Sequence, residues 1–305
     1  MAYISLGYRC NHKCIICPNK KADISITTPK EQIFKMLDNL KNKETSVVTI
    51  SGGEPTLHET FLETISYATK LGIKTNVLSN ADALNDMNLV SEIEKAVDKS
   101  LFSITTAFHS HIPQIHNHIC GIEGAFERSM QGLYNALNKE INIQIKHCIH
   151  KKNYMQTNEF IEFVYTNFPD YSPLILCGID HVGLDDSEIA EVSISLKELG
   201  ESLEIALDKV IEYHGLERHR NVFVTETPLC IVDPYYWNFF EPKLNSSIKY
   251  LAPEELETDI ESDCGTYYRA CEKCDIKNMC QGAWKRTIDN LSDADLTPIK
   301  VNERS

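Results

Sequence analysis

The 305-residue chain contains no apolar run approaching the roughly 18–20 residues that cross a bilayer, so no membrane helix is expected. Its first residues, MAYISLGYRC, lack the charged start and following apolar stretch of a secretory signal. Basic charge is in deficit: 30 Lys and Arg face 44 Asp and Glu, a formal net charge of −14. A protein of that sign is poorly suited to tracking a phosphate backbone, and nucleic-acid binding is not expected. Internal repeats and low-complexity tracts are also absent. With 42% hydrophobic residues the chain can bury a real core. These absences place the protein in the cytoplasm, where its 11 cysteines read as metal ligands or redox groups rather than disulfides.

The cysteines are unevenly spread. Cys10, Cys14 and Cys17 stand in CNHKCIICPNK at a C-x3-C-x2-C spacing. Cys230, Cys264, Cys271, Cys274 and Cys280 come late. Cys120, Cys148 and Cys177 are isolated and read as small buried apolar residues. Three thiolates cannot fill the four-coordinate shell of a structural zinc. They can hold three irons of a four-iron cluster and leave the fourth iron open. His12 is the one candidate for a fourth zinc ligand, awkwardly placed inside the same loop. Iron–sulfur ligation is the leading reading of this spacing and zinc the alternative.

From residue 2 to about residue 185 strand and helix patterns alternate. YISLGY, SVVTIS, IKTNVLSN, LFSITTAF, INIQIKHCIH and PLILCGIDHVG read as strands. The helices between them include TPKEQIFKMLDNLKN, with Thr28 as N-cap, Pro29 in the first turn and Ile33, Met36, Leu37 and Leu40 at helical spacing. About six strands joined by crossover helices predict an α/β fold, a partial (β/α)6 TIM-like barrel too short to close with eight strands. Its site should lie at the C-terminal strand ends, where the cysteine loop, SGGEPT and LSN all fall. Residues 196–215 predict one more helix and RNVFVTETPLCIVDP a strand, while residues 235–262 carry no strong periodicity. The boundaries expected are 1–215 for the barrel, 216–290 for a small cysteine-rich domain and 291–305 for a polar tail.

The C-x3-C-x2-C loop after a first strand, SGGEPTL after a second, LSN after a third, the segment SITTAFHSHIPQIHNHICGIEGAFERSMQGL and Asn153 together resemble the radical S-adenosylmethionine (SAM) superfamily over residues 2 to about 185. The resemblance implies a 4Fe-4S cluster on Cys10, Cys14 and Cys17 whose open iron chelates SAM. One electron then cleaves the sulfonium to a 5′-deoxyadenosyl radical, which abstracts a hydrogen atom from substrate. It also implies that Gly52, Gly53, Glu54 and Pro55 bind the methionine amine, with Glu54 as an acceptor for the ammonium. Ser79 and Asn80 match the ribose-contacting strand end. Ser103 and Thr105, or Lys146, are placed to reach the carboxylate or ribose hydroxyls. The residue before the third cysteine is usually aromatic in this family; here it is Ile16, which packs near the adenine without a π face. His116-Asn117 and Cys120-Gly121 stand where these enzymes carry His-Asp and Arg-Gly. The plainer readings are Glu54 as a turn cap and Ser79-Asn80 as an ordinary turn.

TPLC at 227–230 and CEKCDIKNMCQG at 271–282 resemble the auxiliary-cluster twitch domain, the shorter relative of the SPASM extension. That resemblance assigns Cys230, Cys271, Cys274 and Cys280 to a second, auxiliary 4Fe-4S cluster, with structural zinc as the alternative. Cys264 is the spare: a substitute ligand, a thiol hydrogen donor, or a bystander. Asp180 and His181 end the last predicted barrel strand, where a general acid or base belongs. His109, His111, His116 and His118 lie in a predicted loop at spacings that do not imply convergence on one ion. The aromatic run from Tyr235 to Phe240 reads as core or cluster cover.

Such enzymes often modify ribosomally made peptides, forming crosslinks, thioethers or D-residues. A peptide substrate is therefore expected, with small-molecule dehydrogenation or rearrangement as the alternative. A bare iron–sulfur electron carrier is the remote reading, since it leaves the Gly-Gly-Glu-Pro motif idle. The first cluster begins at residue 10, which leaves no room upstream for a leader-binding domain. Leader recognition would then fall to a separate leader-peptide-binding protein or to the late domain. A flavodoxin- or ferredoxin-like reductant is the remaining partner.

Overall fold

The computed structural model describes residues 2–42, 47–215, 221–241, 248–253, 255–260, 264–285 and 296–301. The parallel strands are β1 (Ala2–Ser5), β2 (Val47–Ser51), β3 (Lys74–Leu78), β4 (Phe102–Ala107), β5 (Asn142–Cys148), β6 (Leu174–Cys177), β7 (Val222–Thr225) and β8 (Ile248–Ala252). Their crossover helices are α1 (Lys30–Asn42), α2 (Phe61–Lys70), α3 (Met87–Ala96), α4 (Pro113–Cys120), α5 (Ala125–Asn138), α6 (Thr157–Asn167), α7 (Asp186–Val192) and α8 (Leu196–His214). Parallel strands joined in this way form the partial TIM-like barrel that the alternation predicts. No helix among the described residues is long and apolar enough to cross a membrane.

The chain divides into two compact units. The first comprises Met1–Phe108, His116–Ile145 and Ser246–Glu261. Its strands run in the order β5-β4-β3-β2-β1-β8, followed by β9 (Glu255–Ile260), which is antiparallel to β8. Register in its centre is regular, with Ile4 opposite Ile50 and Ile50 opposite Val77. Ile4, Ile50, Val77 and Ile104 are all 0% exposed, the buried layer on which α1 to α3 pack. In α1 the expected stripe of Ile33, Met36, Leu37 and Leu40 is buried, as helical spacing requires. The Thr28 hydroxyl donates to the Ser5 carbonyl, fastening the entry of α1 to the end of β1.

The second unit comprises His109–Ile115, Lys146–Asn245 and Ser262–Ser305. It holds the last residues of β5, followed in order by β6 and β7, with α6, α7 and α8 against them. Capping boxes start α7 (Asp185 with Glu188) and α8 (Ser195 with Glu198), which satisfies the free N–H groups of both first turns. The unit ends in a two-stranded antiparallel pair, β10 (Cys264–Thr266) and β11 (Ala283–Trp284).

Three expectations are corrected. The histidine-rich stretch is a loop only at His109 and His111: His116 and His118 lie in helix α4, Pro113–Cys120, which is entered at Pro113 and buries His116, Asn117, Ile119 and Cys120. The strands expected over 173–183 and 220–234 are short, ending at Cys177 and Thr225. The unpatterned stretch 235–262 contains β8 and β9, because β8 pairs along β1 and owes its conformation to that partner.

Candidate functional site

The cysteine loop follows β1 and is held by backbone hydrogen bonds on two sides. On one side Lys13 N–H donates to the Cys120 carbonyl and Ile15 N–H to the Ile119 carbonyl, each at 2.9 Å. These are carbonyls at the C-terminal end of α4, which otherwise lack intrahelical partners. On the other side the Gly-Gly-Glu-Pro turn after β2 donates back to the loop. Gly53 N–H reaches the Gly7 carbonyl at 2.7 Å and Glu54 N–H the Arg9 carbonyl at 2.8 Å. Both glycines are required by geometry. Gly52 has φ +133°, and a Cβ on Gly53 would lie 2.3 Å from the Arg9 oxygen. The Asn19 amide adds a bond to the Gly52 carbonyl at 2.9 Å.

The three thiols are thus presented by a loop whose backbone is spent elsewhere. Cys10 is exposed, and Cys14 and Cys17 are half-buried. The Asn80 amide approaches Cys10 Sγ at 3.9 Å and donates to Asn11 at 2.8 Å. Although Cys10 as a residue is exposed, the loop around its sulfur desolvates the thiol and pushes it up to about 11. A hydrogen bond with Cys120 and burial push Cys14 up against the opposing effect of His12, and burial raises Cys17. A metal cluster supplies the positive charge that stabilises such buried thiolates, and soft sulfur donors suit iron–sulfur chemistry. His12 is buried, with Nε2 3.0 Å from Asp82 Oδ2; the same oxygen accepts from Arg128 Nε at 2.8 Å. Among the described residues, one group of three ligand atoms lies within 4.8 Å of one another: His12, Cys14 and Cys120. Cys120, Asp82, Arg128, Asn11 and Asn19 are residues of this site that sequence reasoning did not select.

Glu54 is 3% exposed. Its Oε1 accepts the Thr56 N–H at 3.0 Å, the Thr56 hydroxyl at 2.6 Å and the Ser79 hydroxyl at 2.9 Å. Its Oε2 accepts the Asn80 N–H at 2.7 Å. Burial still raises its pKa against these four bonds. Glu54 therefore joins the ends of β2 and β3, and an ammonium would have to share a carboxylate already engaged. Pro55 opens a one-turn 3-10 helix, Pro55–Leu57, capped by Glu54. Asn80 is itself held by the Ser129 hydroxyl of α5, which donates to its carbonyl at 2.8 Å. Beside this turn lies a cavity of about 370 Å³, lined among others by Gly7, Arg9, Glu54, Pro55 and His58.

Ser103 and Thr105 meet on one face of the sheet. Both hydroxyls donate to Asn76 Oδ1, at 3.0 and 2.9 Å, and Thr105 also reaches Gln144 at 3.2 Å. Lys146 is engaged elsewhere, its Nζ 3.1 Å from Glu226 Oε2. Ile16 is half-buried in the cysteine loop. Asn117 accepts the Phe126 N–H at 2.8 Å and so fixes the start of α5. The His116 ring lies against Phe108, tilted by 39° with centroids 4.3 Å apart, and burial lowers its pKa to about 3. Asn153 ties the His109 and Cys148 carbonyls together, both at 2.9 Å. Among the described residues no three of His109, His111, His116 and His118 form a ligand group.

In the second unit Cys230, Cys271, Cys274 and Cys280 line one cavity with Pro228, Tyr267 and other residues. Cys280 Sγ accepts the N–H groups of Leu229 at 3.4 Å and Gly282 at 3.3 Å. Burial and then the charges of Cys280, Cys271 and Cys274 push the Cys230 thiol up to about 12. Trp237 and Phe240 pack against Leu229, Ile276 and Cys280, so part of the aromatic run covers this cavity. The Cys264 backbone lies in β10, opposite Trp284, but its side chain is outside the described residues. Asp180 lies three residues beyond the end of β6 and accepts the Val182 N–H at 3.1 Å, a turn-forming contact.

Residues 4–164 match the Radical SAM superfamily, and the chain belongs to that superfamily. Membership implies a four-iron cluster and S-adenosylmethionine as its cofactors. Among characterised proteins the chain is 28% identical over 147 residues to Fe-coproporphyrin III synthase of Methanosarcina barkeri, covering 48% of this chain and 36% of that enzyme. It therefore spans about a third of the synthase. It is 24% identical over 305 aligned residues to a probable GTP 3′,8-cyclase of Sulfurisphaera tokodaii, covering 98% of this chain and 92% of the relative. Its fold is similar to Streptococcus suis SuiB bound to precursor peptide SuiA, with TM-score 0.68 and 14% identity over 98% of this chain and 74% of SuiB. It is also similar to anSMEcpe with bound AdoMet and Kp18Cys peptide, with TM-score 0.65 and 15% identity over 97% of this chain and 92% of that one.

Proposed function

We propose that the chain holds a 4Fe-4S cluster on Cys10, Cys14 and Cys17, binds SAM beside it, and abstracts a hydrogen atom from a ribosomally synthesised peptide. The product would be a crosslink, a thioether or an epimerised residue. The observation that carries this reading is the docking of the three-thiol loop onto the Gly-Gly-Glu-Pro turn through Gly53 and Glu54 N–H. When bound, the cluster supplies the electron that cleaves SAM. The chain's own residues do the positioning. Gly52, Gly53 and Pro55 bring the turn close to the loop, Glu54 locks it to Ser79 and Asn80, and Ser103 and Thr105 face the polar side of the sheet. A flavodoxin- or ferredoxin-like protein is the proposed reductant.

Cys230, Cys271, Cys274 and Cys280 are proposed to hold an auxiliary 4Fe-4S cluster within a twitch-like domain spanning residues 216–290. Tetrahedral zinc with Zn–S near 2.3 Å needs its sulfurs only about 3.8 Å apart. The four thiols share a cavity without forming a group that tight. Ligands to a multi-iron cluster stand farther apart, which favours the cluster.

The peptide reading draws on SuiB and anSMEcpe, each known with a peptide bound. A small-molecule substrate is the second reading, favoured by the near full-length likeness to a probable GTP 3′,8-cyclase. The first test is iron and sulfide content of anaerobically reconstituted protein with Cys10, Cys14 and Cys17 all changed to Ala. About four irons remaining per chain support the auxiliary cluster; about one zinc in their place refutes it. The second test reduces the intact protein with dithionite in the presence of SAM. Formation of 5′-deoxyadenosine is compared with GTP and with peptides encoded by short reading frames beside the gene. Stimulation by a peptide supports the first reading, and stimulation by GTP the second.

A further inference from the structure

Two cysteines that stand alone in the sequence meet in the fold. Cys148 is the last residue of β5 and Cys177 the last of β6, and their sulfurs lie 3.7 Å apart. Cys177 is fully buried and Cys148 half-buried, so a small reagent would meet Cys148 first. Strand periodicity puts Lys146 on the same face as Cys148. The Lys146 ammonium is paired with Glu226 at 3.1 Å. The hydrogen bond from Cys177, with help from Lys146, pulls the Cys148 thiol below its ordinary value against burial and the Glu226 charge. The same hydrogen bond and burial push Cys177 up. Two sulfurs in contact, with a lysine on the same face of the strand, are the surroundings that make a thiol nucleophilic.

The surrounding backbone is pinned. Asn153 donates to the Cys148 carbonyl at 2.9 Å and Ile149 N–H to the Cys177 carbonyl at 2.8 Å. Glu226 sits at φ +58°, a left-handed conformation that non-glycine residues adopt only under strain. Its N–H is held by the Gln281 side chain at 2.7 Å. A strained acidic residue kept in place to face a half-buried lysine next to two thiols is more than the packing of small apolar residues requires.

We propose that Cys148 and Cys177 form a dithiol site that exchanges with low-molecular-weight disulfides, Cys148 as the attacking thiolate and Cys177 as the resolving thiol. The Cys148 thiolate attacks one sulfur of R–S–S–R, forms the Cys148–S–S–R mixed disulfide and releases RS⁻, which takes a proton from solvent. Cys177 then attacks the Cys148 sulfur. The Cys148–Cys177 bond forms, the second RS⁻ leaves, and that thiolate takes the proton Cys177 gives up. The dithiol is oxidised by two electrons and the small disulfide is reduced to two thiols. The site goes beyond the proposed radical chemistry and does not depend on it.

The test treats full-length, anaerobically reconstituted protein with bis(2-hydroxyethyl) disulfide, followed by acid quench, alkylation and peptide mass mapping. The wild type should yield a Cys148–Cys177 linked peptide that dithiothreitol abolishes. Cys177→Ser should accumulate the mixed disulfide on Cys148, while Cys148→Ser should leave Cys177 unmodified over the same period. Lys146→Gln, placed in the Cys177→Ser chain, should slow mixed-disulfide formation several-fold. Circular dichroism and the iron–sulfur absorbance report whether each variant is folded. Absence of the linked peptide from the folded wild type overturns the proposal, whatever the variants do. Faster modification of Cys177 than of Cys148 reverses the assigned roles and overturns it equally.

Discussion

His12 and Asp82 lie 70 positions apart in sequence and 3.0 Å apart in space. The Asp82 oxygen that meets His12 Nε2 also accepts from Arg128 Nε, so one carboxylate fastens the cysteine loop to α5. His12 is raised in pKa because its contacts with Cys14 and Asp82 outweigh burial.

Asp82→Asn should weaken both contacts at once. A loss of about 1–3 kcal/mol is expected for buried charge-assisted bonds of this kind. Anaerobic denaturant melts would read the stability, and iron analysis after desalting would show a lower iron content than wild type. Unchanged stability and iron content would show that His12 and Arg128 find other partners.

Gly53→Ala tests the contact between the turn and the loop. The new Cβ would lie 2.3 Å from the Arg9 oxygen and 2.5 Å from the Tyr8 oxygen, both backbone atoms. The loop must shift to admit it. Iron bound per chain on reconstitution should fall well below wild type while the far-ultraviolet circular dichroism is retained.

Glu54→Ala strips acceptors from Thr56, Ser79 and Asn80 in a buried setting. A destabilisation of about 3 kcal/mol is expected, since the donors lose their partners without reaching water. Equilibrium dialysis with SAM should also show weaker binding, because the ends of β2 and β3 are no longer joined. Ser79→Ala removes one of these four bonds and also the acceptor of the Ala81 N–H at 3.0 Å, and should cost about 1–3 kcal/mol.

His116 gives a pH signature. Burial holds its pKa near 3, below the ordinary value of 6.5, so the folded chain carries it neutral where the unfolded chain protonates it. Its contribution to stability is present above pH 6.5 and is lost as pH falls from 6.5 towards 3. The loss approaches about 1.4 kcal/mol per pH unit for one proton. His116→Phe should flatten that part of the stability-versus-pH curve, measured by thermal melts between pH 7 and about 4.5.

Local signals made much of this legible. The β/α alternation, the α1 stripe and the juxtaposition of the cysteine loop with the Gly-Gly-Glu-Pro turn follow from periodicity and strand-end position. Helix α4 was hidden because its buried face includes His116 and Asn117, polar residues that break the apolar pattern. Strand β8 was hidden because pairing along β1 creates it. Cys120, Cys148 and Cys177 looked inert one at a time. Their partners, Cys14 for the first and each other for the remaining two, come from distant elements, and no spacing rule reaches across separations of 29 positions or more.

Two bonds of the tether between the cysteine loop and α4 are made by main-chain atoms, the N–H groups of 13 and 15 and the carbonyls of 120 and 119, beside the side-chain contact of Cys14 with Cys120. Side chains at Lys13, Ile15 and Ile119 are therefore not what keeps the loop attached. A proline at 13 or 15 would remove one of these two bonds, whereas other residues there keep the N–H that makes it. The loop's grip on the barrel is in this sense insured against drift in its own sequence, and selection at those positions is free to act on whatever the side chains themselves touch.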